Sequence, residues 1–191
     1  KIRVFHNVCS HRGYKILQKS CRIKNLIRCP YHSWSYDTEG KLIAAQGRAL
    51  GSHELRYITI KVTEDSPKVY GLERWKLEEH TYIVEGPIDS MFLPNCLAVA
   101  GGDLQSIKID KKQCVLIFDN ESRNIHTVKK LMKAIEGGWS VVVWSKDKKF
   151  KDINDLIMSG LSTDEILEMI NKNTFKGLEA DWTAREWRNV H

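Results

Sequence analysis

The chain has 191 residues, 42% hydrophobic and 28% charged, a composition that indicates a globular protein and excludes a disordered one. No apolar run approaches the ~20 residues that span a bilayer, so no membrane association is expected. The net charge of +6 is unevenly spread: residues 1–45 hold nine Lys/Arg against two Asp/Glu, while residues 46–191 are nearly neutral. Two different segments therefore meet near residue 45.

The start of the chain and its cysteines indicate where the protein resides. Because the chain begins with Lys1 and not with Met, we expect it to be a piece of a longer product. Because its first residues lack the apolar core of a secretory signal, we expect it to reside in the cytoplasm. The cysteine count is odd and the spacing uneven, which argues against a disulfide framework. The five cysteines are Cys9, Cys21, Cys29, Cys96 and Cys114.

Two short pairs of metal-binding residue types lie in residues 1–45, as Cys9-x-His11 and Cys29-x-x-His32. Each pair is short enough for one loop, and two such loops can close on one inorganic centre. Mixed Cys/His ligation indicates zinc or a two-iron cluster. Zinc is the weaker alternative, because classical zinc fingers pair Cys with Cys and His with His, whereas each pair here holds one of each.

The sequences around these pairs, CSHRG and CPYHSW, resemble the two ligand loops of Rieske [2Fe–2S] proteins of the ring-hydroxylating oxygenase type. The resemblance implies that Cys9 and Cys29 bind one iron while His11 and His32 bind the other. It also implies an electron-transfer module that serves an oxygenase or reductase partner.

This Rieske-like segment is expected to be small, β-rich and incomplete. Only eight residues precede Cys9, and the resemblance stops near residue 43. Trp34 and Tyr36 resemble family residues that pack near the cluster, whereas Cys21, between the loops, is expected to be a bystander. We predict a segment boundary at residue 45, followed by a connecting segment over 46–80.

Within that connecting segment, LRYITIKV (55–62) alternates Ile58, Ile60 and Val62 with polar or aromatic residues, which predicts a half-buried strand. From residue 81, continuous apolar runs predict buried strands over 81–86, 97–102, 113–120 and 140–144. Helices are predicted through IDSMFL and over 124–136, 152–159 and 163–173, the last with Thr163 as its N-cap. This alternation predicts an α/β fold, a parallel sheet with helices on both faces.

Acidic residues follow two of the predicted strands. Glu85 ends one strand, Asp119 and Glu121 end another as D-x-E, and Asp89 lies one turn beyond Glu85. Ligands of open parallel sheets bind beyond the carboxyl ends of the strands. Carboxylates gathered there suit Mg²⁺, which stabilises charge during phosphoryl transfer. Capping of the following helices is the alternative role.

The strings YIVEGPIDSMFLPN, LAVAGG, VLIFDNESRN and KDINDLI resemble, in this order, the Toprim domain of tailed-phage DNA primases. The resemblance implies that Glu85 is the general acid/base and that Asp119 and Glu121 hold Mg²⁺. Glu85 and Asp89 complete the predicted set of Mg²⁺ ligands. Glu121 replaces the second Asp of the family pattern but keeps a carboxylate. Asp152 and Asp155 resemble a later acidic motif, for which helix capping is an equal alternative.

The resemblance extends upstream through QGRALGSHELRYITIK and PKVYGLER, which resemble the basic subdomain that precedes Toprim in primases. It implies that this segment contacts template or nucleotide phosphates. The candidate residues are Arg48, Arg56, Lys61 and Lys68.

Three hypotheses follow for the chain, with divisions at 1–45, 46–80 and 81–191. The first is a primase-like Mg²⁺-dependent nucleotidyl transferase in the host cytoplasm of a phage, acting on single-stranded DNA and nucleotides, with a replicative helicase as the expected protein partner. The second is a Rieske electron-transfer module. The third is a chimeric or fragmentary chain, joined naturally or by sequence assembly, in which neither activity is complete.

Overall fold

The computed structural model describes residues 7–10, 14–23, 26–30, 34–38, 42–48, 57–62, 69–72, 74–99, 104–106, 109–145 and 150–190; within 42–48 and 57–61 it describes mainly the backbone. The chain forms two compact units, Lys1–Pro67 and Lys68–His191. The divisions at residues 45 and 80 stay predictions. No helix in the described part is long and apolar enough to cross a membrane.

The N-terminal unit contains one antiparallel four-stranded sheet. Its strands, in spatial as well as chain order, are β1 (Ile27–Arg28), β2 (Ser35–Tyr36), β3 (Leu42–Arg48) and β4 (Tyr57–Lys61). The half-buried strand predicted over 55–62 is wrong in one respect, because Ile60 and Val62 are each more than half exposed. Buried residues of this unit instead gather around two cysteines.

The C-terminal unit is organised around a six-stranded sheet with the order β10-β9-β8-β6-β7-β5. The four central strands are parallel, and an antiparallel strand lies at each edge. The strands are β5 (Val69–Tyr70), β6 (Thr81–Val84), β7 (Cys96–Val99), β8 (Cys114–Ile117), β9 (Ser140–Val142) and β10 (Thr174–Phe175).

Helices cover both faces of this sheet, as predicted. They are α1 (Ile125–Glu136), α2 (Ile153–Met158), α3 (Thr163–Lys172) and α4 (Gly177–Trp187). On one face, α1 and α4 pack through buried residues such as Leu131 and Trp187. On the other, α2 and α3 pack through Leu156, Ile166 and Ile170. The central strands are therefore buried on both sides, which explains their continuous apolar sequences.

Two local predictions need correction. The helix through IDSMFL is a single 3₁₀ turn at Asp89–Met91, because Pro87 and Pro94 bracket too few residues for a longer helix. The N-cap of α3 is Ser162 and not Thr163: Ser162 and Glu165 form a reciprocal capping box. Strand β10 and helix α4 were not predicted.

Candidate functional site

The acids after β6 and β8 lie at the same edge of the sheet. The two strands are parallel neighbours, with Val84 opposite Ile117. Glu85 directly follows Val84, and Asp119 comes two residues after Ile117. The indole of Trp144 donates a hydrogen bond of 2.8 Å to the carbonyl of Phe118, which fixes the backbone between strand and acid. The strand pairing therefore brings two of the predicted site residues together.

Asp119 lies in a strongly unfavourable setting for a negative charge. Burial and then the charge of Glu85 raise its pKa to about 7, with smaller contributions from Asp89 and Asp152, while Lys151 opposes the shift. Like charges and burial both disfavour ionisation of a carboxyl group. This edge of the sheet thus holds excess negative charge that a cation would relieve.

Two lysines that sequence reasoning missed contact the acids. Lys130 of α1 places its Nζ 2.6 Å from Oε1 of Glu85. Lys151 places its Nζ 3.2 Å from Oε1 of Glu121 and 3.8 Å from Oδ2 of Asp119. The partners in each pair are at least 30 positions apart, so no local pattern indicates them.

The pair of Glu121 and Lys151 is mutually stabilised. Burial opposes ionisation of both groups, but the hydrogen bond between them outweighs it, which lowers the pKa of Glu121 and raises that of Lys151. Asn124 and Thr127 also donate hydrogen bonds to Oε2 of Glu121, at 2.9 and 3.4 Å. Glu121 is therefore a fixed, ionised carboxylate beside Asp119.

Asp89 lies near Asp119 and also makes a hydrogen bond to the start of α2. Its buried carboxylate accepts the backbone N–H of Asn154 at 2.8 Å, in the first turn of α2. Its Oδ2 lies against Gly86, where a Cβ atom would approach to 2.0 Å. Gly86 is therefore needed because any side chain there would displace Asp89.

The KD-x-ND acids are observed as capping groups. Asp152 is the N-cap of α2, and its Oδ1 accepts the N–H of Asp155 at 2.9 Å. Asp155 in turn accepts the backbone N–H of Lys151 at 2.9 Å. Both carboxylates thus hold the turn that carries Lys151 to Asp119 and Glu121.

The carboxylates Glu85, Asp119 and Glu121 fit a divalent cation by their chemistry. All three supply the oxygen ligands that Mg²⁺ prefers, and Mg²⁺ usually retains several waters. Within the described residues, no three His, Cys, Asp or Glu side chains already form a metal-binding group. In this conformation Lys130 pairs with Glu85 and Lys151 with Glu121 and Asp119, which compensates part of their negative charge.

The predicted phosphate-binding residues are only partly located. Arg48 lies at the end of β3, opposite Tyr57, and Lys61 lies at the end of β4, opposite Ala44. The structure describes their backbone and not their side chains. Arg56 and Lys68 lie outside the described residues.

In the N-terminal unit, Cys9 and Cys29 are almost fully buried and belong to one hydrophobic cluster with Tyr36. His11 and His32 lie outside the described residues. Cys21 is exposed. No disulfide joins the five cysteines, all of which belong to the described part of the chain.

In the N-terminal unit, Cys9 and Cys29 each begin a loop of the same span. The N–H of Cys9 donates to the carbonyl of Tyr14 at 2.8 Å, and the N–H of Cys29 donates to the carbonyl of Trp34 at 2.9 Å. Each bond joins residues five positions apart, and each of these two sequence intervals contains one of the two histidines. Two matched loops with a shared buried cluster fit ligation by two cysteines of one inorganic centre.

Tyr36 contacts the first of these loops directly. Its hydroxyl oxygen lies 3.1 Å from Sγ of Cys9 and accepts the N–H of Ser10 at 3.0 Å. Either the Tyr36 hydroxyl or the Cys9 thiol can donate in the contact between them, but a Cys9 thiolate can only accept from the hydroxyl. Burial, and then the contact with Cys9, raise the pKa of Tyr36, which keeps the hydroxyl protonated. Its packing was predicted; this hydrogen bond was not.

Comparison with known proteins finds one set of relatives for most of the chain and another for its first residues. Over 160 residues, 81% of the chain, the sequence is 39% identical to the DNA primase of Enterobacteria phage T4. Most of the chain resembles a phage DNA primase. The match covers 46% of that primase, so the chain spans less than half of its length.

The primase-like fold is also found among solved structures. The E. coli primase catalytic core matches 86% of the chain with a TM-score of 0.53 and 16% identity, over 56% of its own length. A DNA primase domain from Pseudomonas aeruginosa matches 87% of the chain with a TM-score of 0.53 and 18% identity, over 56% of its length. These matches show the fold.

Residues 1–54 match the Rieske [2Fe-2S] domain family. Over 45 residues, 24% of the chain, the sequence is 47% identical to the carnitine monooxygenase oxygenase subunit of Acinetobacter baumannii, covering 12% of that protein. Both resemblances predicted from the sequence are therefore confirmed. A Rieske-type segment precedes a DNA primase-like domain in one chain.

Proposed function

We propose that the primase-like unit catalyses Mg²⁺-dependent nucleotidyl transfer, joining nucleotides into RNA primers on a single-stranded DNA template. The observation that supports this most directly is Asp119 beside Glu85 at the ends of adjacent parallel strands, where burial and neighbouring charge raise the pKa of Asp119 to about 7. A carboxyl group in this setting gains stability from a bound cation.

In this proposal the residues have separate roles. Asp119 and Glu121 hold the metal, and Glu85 accepts the proton of the attacking 3′-hydroxyl. Lys130, 2.6 Å from Glu85, fixes the direction of that carboxylate. Mg²⁺, when bound, neutralises charge on the transferred phosphoryl group and the leaving pyrophosphate.

The basic segment supplies the template contacts in this proposal. Arg48, Arg56, Lys61 and Lys68 would neutralise phosphates of the template or the incoming nucleotide without reading bases. A replicative helicase would be the protein partner. These contacts predict affinity that falls steeply as salt concentration rises.

The test is primer synthesis on single-stranded DNA by the Asp119→Asn variant in Mg²⁺. We expect synthesis to be lost, while Asp164→Asn, the same change at an exposed acid in the first turn of α3, leaves it intact. Undiminished synthesis by Asp119→Asn would overturn the proposed role of this site.

For the N-terminal unit we propose an assembled [2Fe–2S] cluster that transfers electrons to or from an oxygenase or reductase partner. The specific support is the pair of matched loops that begin at two buried cysteines, with Tyr36 against one sulfur. The purified chain should be red-brown with about two irons per chain. A colourless, iron-free and zinc-loaded sample would eliminate the cluster in favour of zinc.

A further inference from the structure

Asn120 is the middle residue of the D-x-E sequence, and three of its polar groups are bonded to other segments. Its backbone N–H donates to the carbonyl of Lys151 at 2.6 Å. Its side-chain Nδ2 donates to the carbonyl of Phe150 at 3.0 Å, and its Oδ1 accepts the indole N–H of Trp187 at 3.0 Å. Both ends of the amide are thus used.

These bonds connect the acidic loop, residues 119–122, to two distant parts of the fold. The first is the turn at 150–151, which carries the lysine that contacts the acids on either side of Asn120. The second is the end of α4, where Trp187 is buried in the core beneath α1. A second bond, from the N–H of Asn189 to the carbonyl of Ser122 at 2.8 Å, ties the same loop to the C-terminal residues.

The loop needs such support because its charges repel other acids. Strand pairing places Asp119 beside Glu85, at the ends of adjacent parallel strands. A loop free to move would relax by turning that carboxylate toward solvent, away from Glu85. The bonds of Asn120 oppose that movement because they fix the backbone between the two acids in both directions.

We propose that Asn120 is a positioning residue for the metal-binding acids and that Trp187 anchors it. The C-terminal helix then belongs to the metal site although it supplies no ligand. This inference rests on the proposed function, since it requires that Asp119 and Glu121 bind a divalent cation.

The test uses the full chain and Mn²⁺ binding followed by electron paramagnetic resonance. Trp187→Phe keeps an aromatic ring in the core and removes the indole N–H that donates to Oδ1 of Asn120. We expect its dissociation constant for Mn²⁺ to rise roughly three- to tenfold, the effect of losing one hydrogen bond that holds the site.

Two controls separate positioning from general destabilisation. Trp182→Phe is the same change on the same helix, at an exposed position whose N–H bonds to Glu186 at 2.9 Å. Ile170→Val weakens the core on the opposite face of the sheet without touching the loop. Both should bind Mn²⁺ as the unaltered chain does, even where thermal unfolding shows that Ile170→Val is less stable.

The Asp119→Asn variant separates the positioning role of Asn120 from the metal site itself. If it loses Mn²⁺ binding while Trp187→Phe binds like Trp182→Phe, the positioning role is overturned and the metal site stands. If Asp119→Asn binds Mn²⁺ as tightly as the unaltered chain, the metal site and the positioning role fall together. The proposal is supported if Asp119→Asn and Trp187→Phe both bind Mn²⁺ more weakly while the two control variants bind it as the unaltered chain does.

Discussion

The two units of this chain hold their candidate sites in different ways. In the primase-like unit, the acids follow strands buried between two helix layers, so packing fixes them before any ligand binds. In the Rieske-type unit, the described buried cluster consists of Cys9, Cys29 and Tyr36, with four partly buried neighbours. A site built on a large core is stable without its ligand, whereas loops on a small core depend on it.

Removing a cysteine ligand gives the largest expected difference between the units. Cys29→Ser should eliminate iron binding and visible absorption, because the proposed cluster loses one of its thiolate ligands. Hydrogen exchange should then accelerate in residues 7–38, while β6 and β8 remain protected.

Cys21→Ser is the matched control, because Cys21 is exposed and lies between the loops. It should retain iron and colour. A Cys29→Ser chain that keeps its iron, or that loses protection in β6 and β8, would contradict this distinction between the units.

The second prediction concerns the effect of Asp119 on the pH dependence of stability. Its pKa of about 7 in the folded protein is above the ordinary 3.8. Between these values the folded state holds a proton that the unfolded state has released, so stability falls as the pH rises through this window. Asp119→Asn removes the penalty and should raise the thermal midpoint at pH 8 by roughly 3 °C or more.

The gain from Asp119→Asn should shrink at pH 5 and vanish near pH 4, as followed by circular dichroism without divalent cations. Asp164→Asn should change little at any of these pH values. A midpoint lowered by Asp119→Asn at pH 8 would show that this acid stabilises the fold, contrary to the expectation.

The third prediction concerns the hydroxyl of Tyr36, 3.1 Å from Sγ of Cys9. A hydrogen bond to a ligand sulfur stabilises the reduced, more negative cluster. Tyr36→Phe should therefore lower the reduction potential by about 40 mV, equivalent to about 1 kcal/mol for one electron. Protein-film voltammetry measures the shift, and equal iron content in both proteins is the control. An unchanged potential would mean that Tyr36 only packs against the loop.

The smallest effect is expected at the start of α3. Ser162→Ala removes the capping box with Glu165 and should cost about 1 kcal/mol in urea unfolding. Thr163→Ala is the control, since Thr163 lies inside the helix and is not its cap. The reverse ranking of these two variants would restore the N-cap that the sequence pattern indicated.

The parallel sheet was predictable because its strands are continuous apolar runs that end in acids or turns. The sequence predicted that Glu85 and Asp119 lie beyond strand ends, and the structure shows that their strands are neighbours. Helix α4 was missed because its apolar pattern is inverted: Leu178 and Trp182 are exposed, while the small Ala180 and Ala184 face the core. Small buried residues leave no clear periodic signal.

Long-range polar contacts were equally invisible in the sequence. Lys130 meets Glu85 across 45 positions, and Trp187 meets Asn120 across 67. Neither contact follows from a motif, because each depends on how helices lie over the completed sheet. Sequence patterns thus predict the ends of strands better than the side chains that cover them.

Strand β3 crosses residue 45, where the composition of the chain changes. Residues 42–48 form one unbroken strand across the position where the composition changes, bonded to β2 on one side and β4 on the other. Strand pairing uses backbone groups that every residue except proline supplies in full. An extended segment therefore tolerates an abrupt change of side chains along it, because its ladder depends on backbone groups and not on the residues that change.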